Sequence, residues 1–495
     1  MTDKTILVID VGTQSTRASL IDATGRTVAL SKVSAAAPQE SSPGHAEVDV
    51  DHVFERMRSA CLALRELDDQ RYATVSGVTL TTQRATTVFL DAQDRPLRPA
   101  MLWSDQRRVE SPKPVGGPMG LAIALSGATQ TVNALRGRSP LLWLAKHEPR
   151  LFAASRRVVF LSSYLLFRLS DRWVDSAASQ VGYLPFNFRQ RNWYTPRNWR
   201  WRALGLRSDH QLVSLVAPGT PIGVVGNAAA QALGLKSETP ILAAAADKAC
   251  EVLGSGGLEP GTTCVSFGTA ATVNLIHDRF ATVERFRPAF GSADGRGFLS
   301  EVQIALGFSR VTWFLREFGA DLLEQPESRP AEAQLDAYLT KSRAQRGALV
   351  VDPFFASVVL PLTPAMRAET EIRIKQHGRA LVYRALMESL MLDLKQALIR
   401  LERRRATRAS EVIIAGGGAR SDPLMQLAAN VFGRPALRAA APEASSLGAA
   451  ICAAVALGWH PDFTTAVSHM IGPATRFLPE PEARSAYQQR HRERS

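Results

Sequence analysis

Three short loops in the sequence combine glycine with hydroxyl or acidic side chains directly after apolar runs. They are residues 10–16, residues 268–270 and residues 416–419. Glycine lets backbone N–H groups approach an anion, and hydroxyl groups add further donors. A carboxylate such as that of Asp10 can hold a hydrated magnesium ion. Together the loops favour phosphate or nucleotide binding, although each one alone is also typical of an ordinary turn.

Asp247 follows another apolar run, residues 240–246. A carboxylate held at the end of a buried strand can act as a general base that accepts a hydroxyl proton during phosphoryl transfer. The same residue can equally cap the helix that is expected to begin at Lys248. From the residues alone, both roles stay open.

Two known phosphate motifs are excluded by their own spacing. Residues 256–263 have the glycine spacing of a Walker loop but carry Thr262 where the lysine must stand. Residues 416–421 end in Ser421 where a dinucleotide fingerprint needs glycine. What remains is a strand, a glycine loop and a helix N-terminus, which can accept a base or a phosphate group.

The elements that position these loops repeat a common order. Apolar runs and turn residues predict a strand, a turn at residues 22–25, and a helix capped by Asp49. A similar order restarts after the middle of the chain, so we predict two related halves with a boundary near residue 245. The predicted strands are residues 6–11, 74–81, 84–90, 240–246, 262–267, 271–276 and 411–415, and the later helices are residues 382–404, 422–432 and 445–457.

Composition narrows the class of protein. The chain has 495 residues, of which 45% are hydrophobic, and a formal net charge of +13, so it is expected to fold as a soluble globular protein. The four cysteines are scattered, and no signal peptide or membrane span is recognised, which predicts a cytoplasmic protein without a membrane partner. The basic and aromatic residues 188–207 are interpreted as a packed surface segment, and no nucleic-acid partner is predicted.

The order and spacing of these segments resemble the FGGY family of carbohydrate kinases over nearly the whole chain. Residues 9–17 resemble the family's first phosphate loop, and residues 81–87 with Trp103 resemble its substrate-pocket segment. Asp247, the loop at residues 268–270 and the loop at residues 416–419 follow in the family's order.

The resemblance implies an α/β fold with two ribonuclease-H-like, actin-like ATPase domains and an interdomain cleft. The expected domains are residues 1–245 for sugar and phosphate, residues 246–460 for ATP, and a tail at residues 461–495 that packs back on the fold. The implied function is ATP-dependent phosphorylation of a hydroxyl group on a ketose, polyol or sugar acid, with ATP and Mg²⁺ as cofactors. A homodimer is a further possibility.

The resemblance also assigns roles to single residues. Asp247 is the expected general base and Asp10 the expected magnesium ligand. The expected ATP-binding residues are Thr13, Gln14, Ser15, Arg17, Gly268, Thr269, Gly417, Gly418 and Asp422, and the expected substrate-binding residues are Gln83, Arg84, Trp103, Asp247 and Lys248.

Two departures from the family pattern bear on the substrate. Glycerol kinases carry a glutamate where this chain has Ala85, so glycerol is disfavoured as the acceptor. Lys248 stands where the family commonly has Gln or Asn, and it favours an acceptor with a carboxylate or carbonyl oxygen unless it pairs with Glu251. These departures keep an alternative open, namely a catalytically weak sensor of the same fold that binds nucleotide and sugar.

Overall fold

The computed structural model describes residues 4–284, 287–324, 331–345 and 363–494. It divides into two compact units that are not continuous in sequence. The first unit comprises residues 1–254, 279–298 and 445–471, and the second comprises residues 255–278, 299–444 and 472–495. The expected domains at residues 1–245, 246–460 and 461–495 were drawn as continuous segments, and they stay a prediction.

The strands alternate with helices along most of the chain. The strands are β1 (Thr5–Val11), β2 (Ser15–Asp22), β3 (Thr27–Ser34), β4 (Glu47–Val48), β5 (Val75–Thr82), β6 (Thr87–Leu90), β7 (Ala100–Met101), β8 (Arg157–Phe160), β9 (Val174–Ser176), β10 (Phe186–Asn187), β11 (Asn192–Trp193), β12 (Ser214–Val216), β13 (Pro221–Val224), β14 (Pro240–Ala243), β15 (Thr263–Phe267), β16 (Ala271–His277), β17 (Thr282–Glu284), β18 (Arg287–Pro288), β19 (Phe290–Gly291), β20 (Phe298–Ile304), β21 (Val412–Ala415), β22 (Ala436–Arg438) and β23 (Thr475–Phe477).

Helices belong to both units. They are α1 (Val50–Leu67), α2 (Asp69–Tyr72), α3 (Gly117–Leu125), α4 (Thr129–Gly137), α5 (Pro140–His147), α6 (Pro149–Ala154), α7 (Leu161–Ser170), α8 (Trp199–Ala203), α9 (Asn227–Leu233), α10 (Asp247–Gly254), α11 (Ser309–Phe318), α12 (Ala320–Leu323), α13 (Ala331–Lys341), α14 (Pro364–His377), α15 (Arg379–Arg405), α16 (Asp422–Phe432), α17 (Ala444–Ala456), α18 (Phe463–Met470) and α19 (Pro481–Arg494). Across the described ranges, none of these helices is long and apolar enough to cross a membrane.

The central sheet of the first unit has the strand order β13-β14-β5-β1-β2-β3. Strand β1 is buried along its whole length, as expected of a central strand with both faces covered. It pairs antiparallel with β2 and parallel with β5, which in turn pairs parallel with β14. The core of this unit is formed between the sheet and helices that include α1, α7 and α9.

The sheet of the second unit repeats this arrangement. Six of its strands follow the order β23-β22-β21-β15-β16-β20. Strand β15 pairs antiparallel with β16 and parallel with β21, which pairs parallel with β22, and β22 pairs antiparallel with β23. These directions match those of β14, β5, β1 and their neighbours in the first unit. The prediction of two related halves is therefore confirmed.

Several predicted elements are confirmed, and two need correction. The side chain of Asp49 accepts hydrogen bonds from the N–H groups of Asp51 and His52, so it caps α1 as predicted. The strand predicted for residues 84–90 begins only at Thr87, because Ala85 has a positive φ of 68° that breaks extended structure. The strand predicted for residues 240–246 ends already at Ala243. Among the helices that were not predicted are α18 and α19, which follow the predicted helix at residues 445–457.

Candidate active site

Three predicted site residues lie at one edge of the first sheet. Strands β1, β5 and β14 are parallel neighbours, so their carboxyl ends meet at the same edge. Asp10 lies near the end of β1, Gln83 directly follows β5, and Asp247 follows β14 after a short connection. Ligands in α/β sheets bind outside the carboxyl ends of the strands, so this edge is the candidate site of the first unit.

The hydroxyl group of Thr13 joins the first phosphate loop to the predicted substrate segment. It donates a hydrogen bond to Oε1 of Gln83, and it accepts one from Nε1 of Trp103 at 2.9 Å. Gln83 is buried, whereas Trp103 is 42% exposed and presents an aromatic surface to solvent. A half-exposed indole next to polar groups suits the apolar face of a carbohydrate ring.

The neighbouring predicted phosphate ligands occupy different positions. Gln14 is exposed and Ser15 is buried at the start of β2. The carbonyl of Ser15 accepts a hydrogen bond from the N–H of Gly12 at 3.0 Å, which closes the tight turn of the loop. This turn directs the chain from β1 into β2 and leaves Thr13 and Gln14 at its tip.

Asp10 and Arg17 face each other across β1 and β2. They are register partners, and Nη1 of Arg17 lies 3.5 Å from Oδ2 of Asp10. Asp10 is 5% exposed, and among the described residues no group of three His, Cys, Asp or Glu side chains is arranged to hold a metal ion. A single carboxylate fits Mg²⁺, which keeps most of its waters and is completed by substrate phosphates.

Asp247 is the first residue of α10, and its Oδ1 accepts the N–H of Lys248 at 2.7 Å. Burial raises the pKa of Asp247, while the positive charges of Lys248 and Arg84 oppose this rise and the carboxylate of Glu251 adds to it. A buried carboxyl group with a raised pKa binds a proton more readily than a solvated one, which suits a general base.

Lys248 pairs with Glu251, which was the alternative left open by the sequence. Its Nζ lies 2.6 Å from Oε2 of Glu251, one helical turn further along α10. Arg84 is held differently, since its guanidinium lies over the ring of Phe290 at 4.4 Å from the ring centre. Such stacking fixes a cation by attraction to the ring face. Phe290 was missed by the sequence analysis because nothing in its local sequence links it to Arg84.

The two glycine loops of the second unit also lie at one sheet edge. Gly268 and Thr269 follow β15, and residues 416–418 follow β21, its parallel neighbour. Gly416 has a φ of +87°, and a Cβ there would lie 2.9 Å from the backbone of Phe267, so only glycine fits this close approach. Gly417 is exposed, and no atom lies within 4 Å of the place a Cβ would take.

A segment that the sequence analysis did not identify supports these loops. The N–H groups of Gly307 and Ser309 donate to the carbonyl of Thr269 at 3.1 and 3.2 Å, and the N–H of Phe308 donates to the carbonyl of Gly268 at 2.9 Å. These bonds leave Thr269 exposed at the tip of its loop. The loop is therefore rigidly held with an accessible side chain.

Two remaining predictions concern Asp422 and the basic and aromatic residues 188–207. Asp422 begins α16, and its exposed carboxylate pairs with Arg438, which also donates to the carbonyl of Ala419 at 2.7 Å. In the first unit, two tryptophans of residues 188–207 donate to backbone carbonyls, Trp193 Nε1 to Val213 at 2.7 Å and Trp201 Nε1 to Tyr194 at 2.7 Å. These contacts are typical of a segment packed on its own domain.

Comparison with known proteins gives matches along the whole chain. The model of the FGGY family of carbohydrate kinases, N-terminal domain, matches residues 5–254, and the model of its C-terminal domain matches residues 263–457. A xylulose kinase of Staphylococcus epidermidis is 25% identical over 495 residues, which cover 99% of this chain and 95% of that protein.

Solved structures show the same fold. The crystal structure of a gluconate kinase from Lactobacillus acidophilus has a TM-score of 0.78 at 20% identity, with 99% of this chain and 96% of that chain covered. A ligand-bound xylulose kinase from the same organism gives the same values, a TM-score of 0.78 and 20% identity with 99% and 96% coverage. These likenesses, with the duplicated sheet, confirm the predicted α/β class with two ribonuclease-H-like domains.

Proposed function

Since the chain belongs to the FGGY family of carbohydrate kinases, its reaction is the ATP-dependent phosphorylation of a carbohydrate hydroxyl group, and we propose that Asp247 is the general base of this reaction. The observation that carries the proposal is the position of Asp247 at the same sheet edge as Gln83 and Asp10. Burial raises the pKa of Asp247, and the positive charges of Lys248 and Arg84 oppose this rise.

In the proposed mechanism the first unit binds the carbohydrate and activates it. The acceptor hydroxyl donates its hydrogen bond to the carboxylate of Asp247, and its proton passes to that carboxylate as the oxygen attacks the γ-phosphorus of ATP. The bond between the γ-phosphorus and the bridging oxygen breaks, and ADP leaves with that electron pair. Catalysis in such a transfer consists mostly of positioning and charge stabilisation. Gln83 and Trp103 provide polar and aromatic contacts for orienting the sugar.

The second unit supplies the proposed surface for the adenosine and one of the proposed phosphate loops. The exposed backbone at Gly417 offers a flat surface for the adenosine, and the rigid loop at Gly268 and Thr269 offers donors for the phosphates. In the first unit, Asp10 is the residue that would hold Mg²⁺. When bound, this ion neutralises charge on the phosphate oxygens. Cytoplasm is the proposed compartment, in keeping with four buried cysteines that form no disulfide among the described residues.

For the acceptor we propose a ketose, a polyol longer than glycerol, or a sugar acid. Ala85 places a methyl group where glycerol kinases carry a carboxylate, and the similar proteins include a xylulose kinase and a gluconate kinase. The test is ADP release with a panel of four- to six-carbon ketoses, polyols and aldonates. ATP binding without ADP formation on any acceptor would instead support the alternative of a sensor.

The neighbours of Asp247 make opposite predictions for the pH dependence of kcat/KM. The Lys248→Met variant removes a cation that lowers the pKa of Asp247, so the acidic limb is expected to move to higher pH. The Glu251→Gln variant removes a carboxylate that raises this pKa, so its limb is expected to move to lower pH. The measurement is kcat/KM from pH 4 to 9 for both variants. Shifts in the same direction, or none, would contradict the assignment of the limb to Asp247.

Gly417 gives a prediction for the ATP site. Because space is open around it, the Gly417→Leu variant is expected to keep the stability of the wild type. Its side chain would occupy the proposed adenosine surface, so KM for ATP is expected to rise about tenfold or more, with KM for the carbohydrate unchanged. Gly116→Leu is the matched control, since Gly116 also has no atom within 4 Å of its Cβ position. Equal values of KM for ATP in both variants would place the adenosine elsewhere.

A further inference from the structure

The segment that carries Asp247 has little side chain with which to hold its own position. Ala244, Ala245 and Ala246 connect β14 to α10 and belong to neither element. They are 3%, 0% and 2% exposed, and a methyl group makes few packing contacts compared with a larger side chain. The path of the backbone into Asp247 therefore depends on the hydrogen bonds of these three residues.

One of these bonds comes from the neighbouring strand. Thr81, near the end of β5, donates its hydroxyl to the carbonyl of Ala245 at 2.9 Å. Thr81 is 1% exposed, so this bond forms away from water. The thiol of Cys250 also approaches the same oxygen, at 3.3 Å, but Cys250 lies in α10 and moves with the helix that Asp247 begins.

A second bond holds the segment from the opposite side. The N–H of Ala246 donates to the carbonyl of Ala178 at 3.4 Å. Ala178 lies in a 3₁₀ turn next to Asp175, whose buried carboxylate accepts hydrogen bonds from Ser162 Oγ at 2.7 Å and Gln180 Nε2 at 2.9 Å. This turn is rigid, but its bond to Ala246 is the longer of the two, so Thr81 supplies the stronger link to the sheet.

We propose that Thr81 is a positioning residue for the general base. It ties the backbone two residues before Asp247 to the central sheet, which also carries Asp10. The proposal rests on the proposed role of Asp247. A general base must lie within hydrogen-bond reach of its proton, and a displacement of about 1 Å can reduce a rate about 100-fold. Without the Thr81 hydroxyl, the carbonyl of Ala245 loses its bond to β5, and Asp247 is free to shift.

The strand itself provides a matched control. Thr79 lies two residues earlier on the same face of β5, is 0% exposed, and donates its hydroxyl to the carbonyl of Leu242 at 2.9 Å. Leu242 lies within β14 and is already held by the pairing of β14 with β5. The Thr81→Val and Thr79→Val variants therefore lose the same kind of buried bond, but only the first loss lies beside the segment that carries Asp247.

The experiment compares kcat, KM and Tm for these two variants and for Thr81→Ser. We expect both valine variants to lower Tm by a similar few degrees. Only Thr81→Val is expected to lower kcat, by about tenfold or more with KM little changed, and Thr81→Ser is expected to restore kcat because it keeps the hydroxyl group. This pattern would support the positioning role.

Other outcomes separate the two proposals. Equal kcat values for Thr81→Val and Thr79→Val, in a protein whose Asp247→Asn variant is inactive, would overturn the role of Thr81 alone. An Asp247→Asn variant that keeps its activity would overturn the role of the base, and the role of Thr81 with it. A Thr81→Ser variant as slow as Thr81→Val, with the same Tm as the wild type, would also overturn the positioning role.

Discussion

Replacing Asp247 by asparagine is expected to lower kcat by about 10²- to 10⁴-fold, the range typical of a lost general base. Asparagine keeps the size of the side chain and the oxygen that accepts the N–H of Lys248, but it cannot take up the hydroxyl proton. The measurement is carbohydrate-dependent ADP release at saturating ATP and acceptor. A kcat within tenfold of the wild type would contradict the assignment.

Stability and ATP binding are the controls for this variant. Because burial raises the pKa of Asp247, its ionised carboxylate is poorly solvated in the folded protein, and a neutral amide relieves that cost. Tm is therefore expected to stay the same or to rise. ATP affinity measured by calorimetry is also expected to stay the same, since Asp247 lies in α10 and outside the proposed ATP loops. A fall in Tm would point to a structural role of Asp247.

Replacing Gly448 by alanine is expected to destabilise the first unit by about 3 kcal/mol, at the upper end of the usual cost of overpacking a core. A Cβ at this position of α17 would lie 1.8 Å from the backbone oxygen of Cys250 in α10. Backbone atoms cannot rotate away, so one helix must move. Chemical denaturation of the variant measures the loss of free energy of unfolding.

The same variant also tests the link between packing and activity. Cys250 lies in the helix that begins at Asp247, so a displacement of this helix is expected to lower kcat in the fraction that still folds. Gly116→Ala is the control, because a Cβ at Gly116 meets no atom within 4 Å, and its stability is expected to stay within about 0.5 kcal/mol of the wild type. Equal stability of the two variants would refute the close contact between the helices.

Local structure was predictable from the sequence mainly around the loops of the candidate site. The helix at residues 422–432 has the predicted bounds, and the strands before the three glycine loops are confirmed. Hydrophobic period and turn chemistry act over a few residues, so they can be read in order along the chain. One exception, at residues 84–86, has a local cause, the positive φ of Ala85, which no propensity of alanine indicates.

The candidate site was predictable only in part. Asp10 and Asp247 were predicted because each follows or ends an apolar run, whereas Gln83 was predicted only through the resemblance to the FGGY family. Phe290 under Arg84 and the bond from Thr81 to Ala245 were not predicted. Phe290 is distant in sequence from Arg84, and a threonine within a strand has no signal that distinguishes a positioning role from ordinary packing.

Residue type and spacing along the chain were enough to predict the order of the loops, the two related halves and the resemblance to a kinase family. Which charges meet depends on the tertiary structure. Lys248 pairs with Glu251 while Arg84 stacks on Phe290, and both cations act on the pKa of Asp247. The physical reason is that the parallel alignment of β1, β5 and β14 brings residues far apart in sequence to one sheet edge, where distance and burial determine their chemistry.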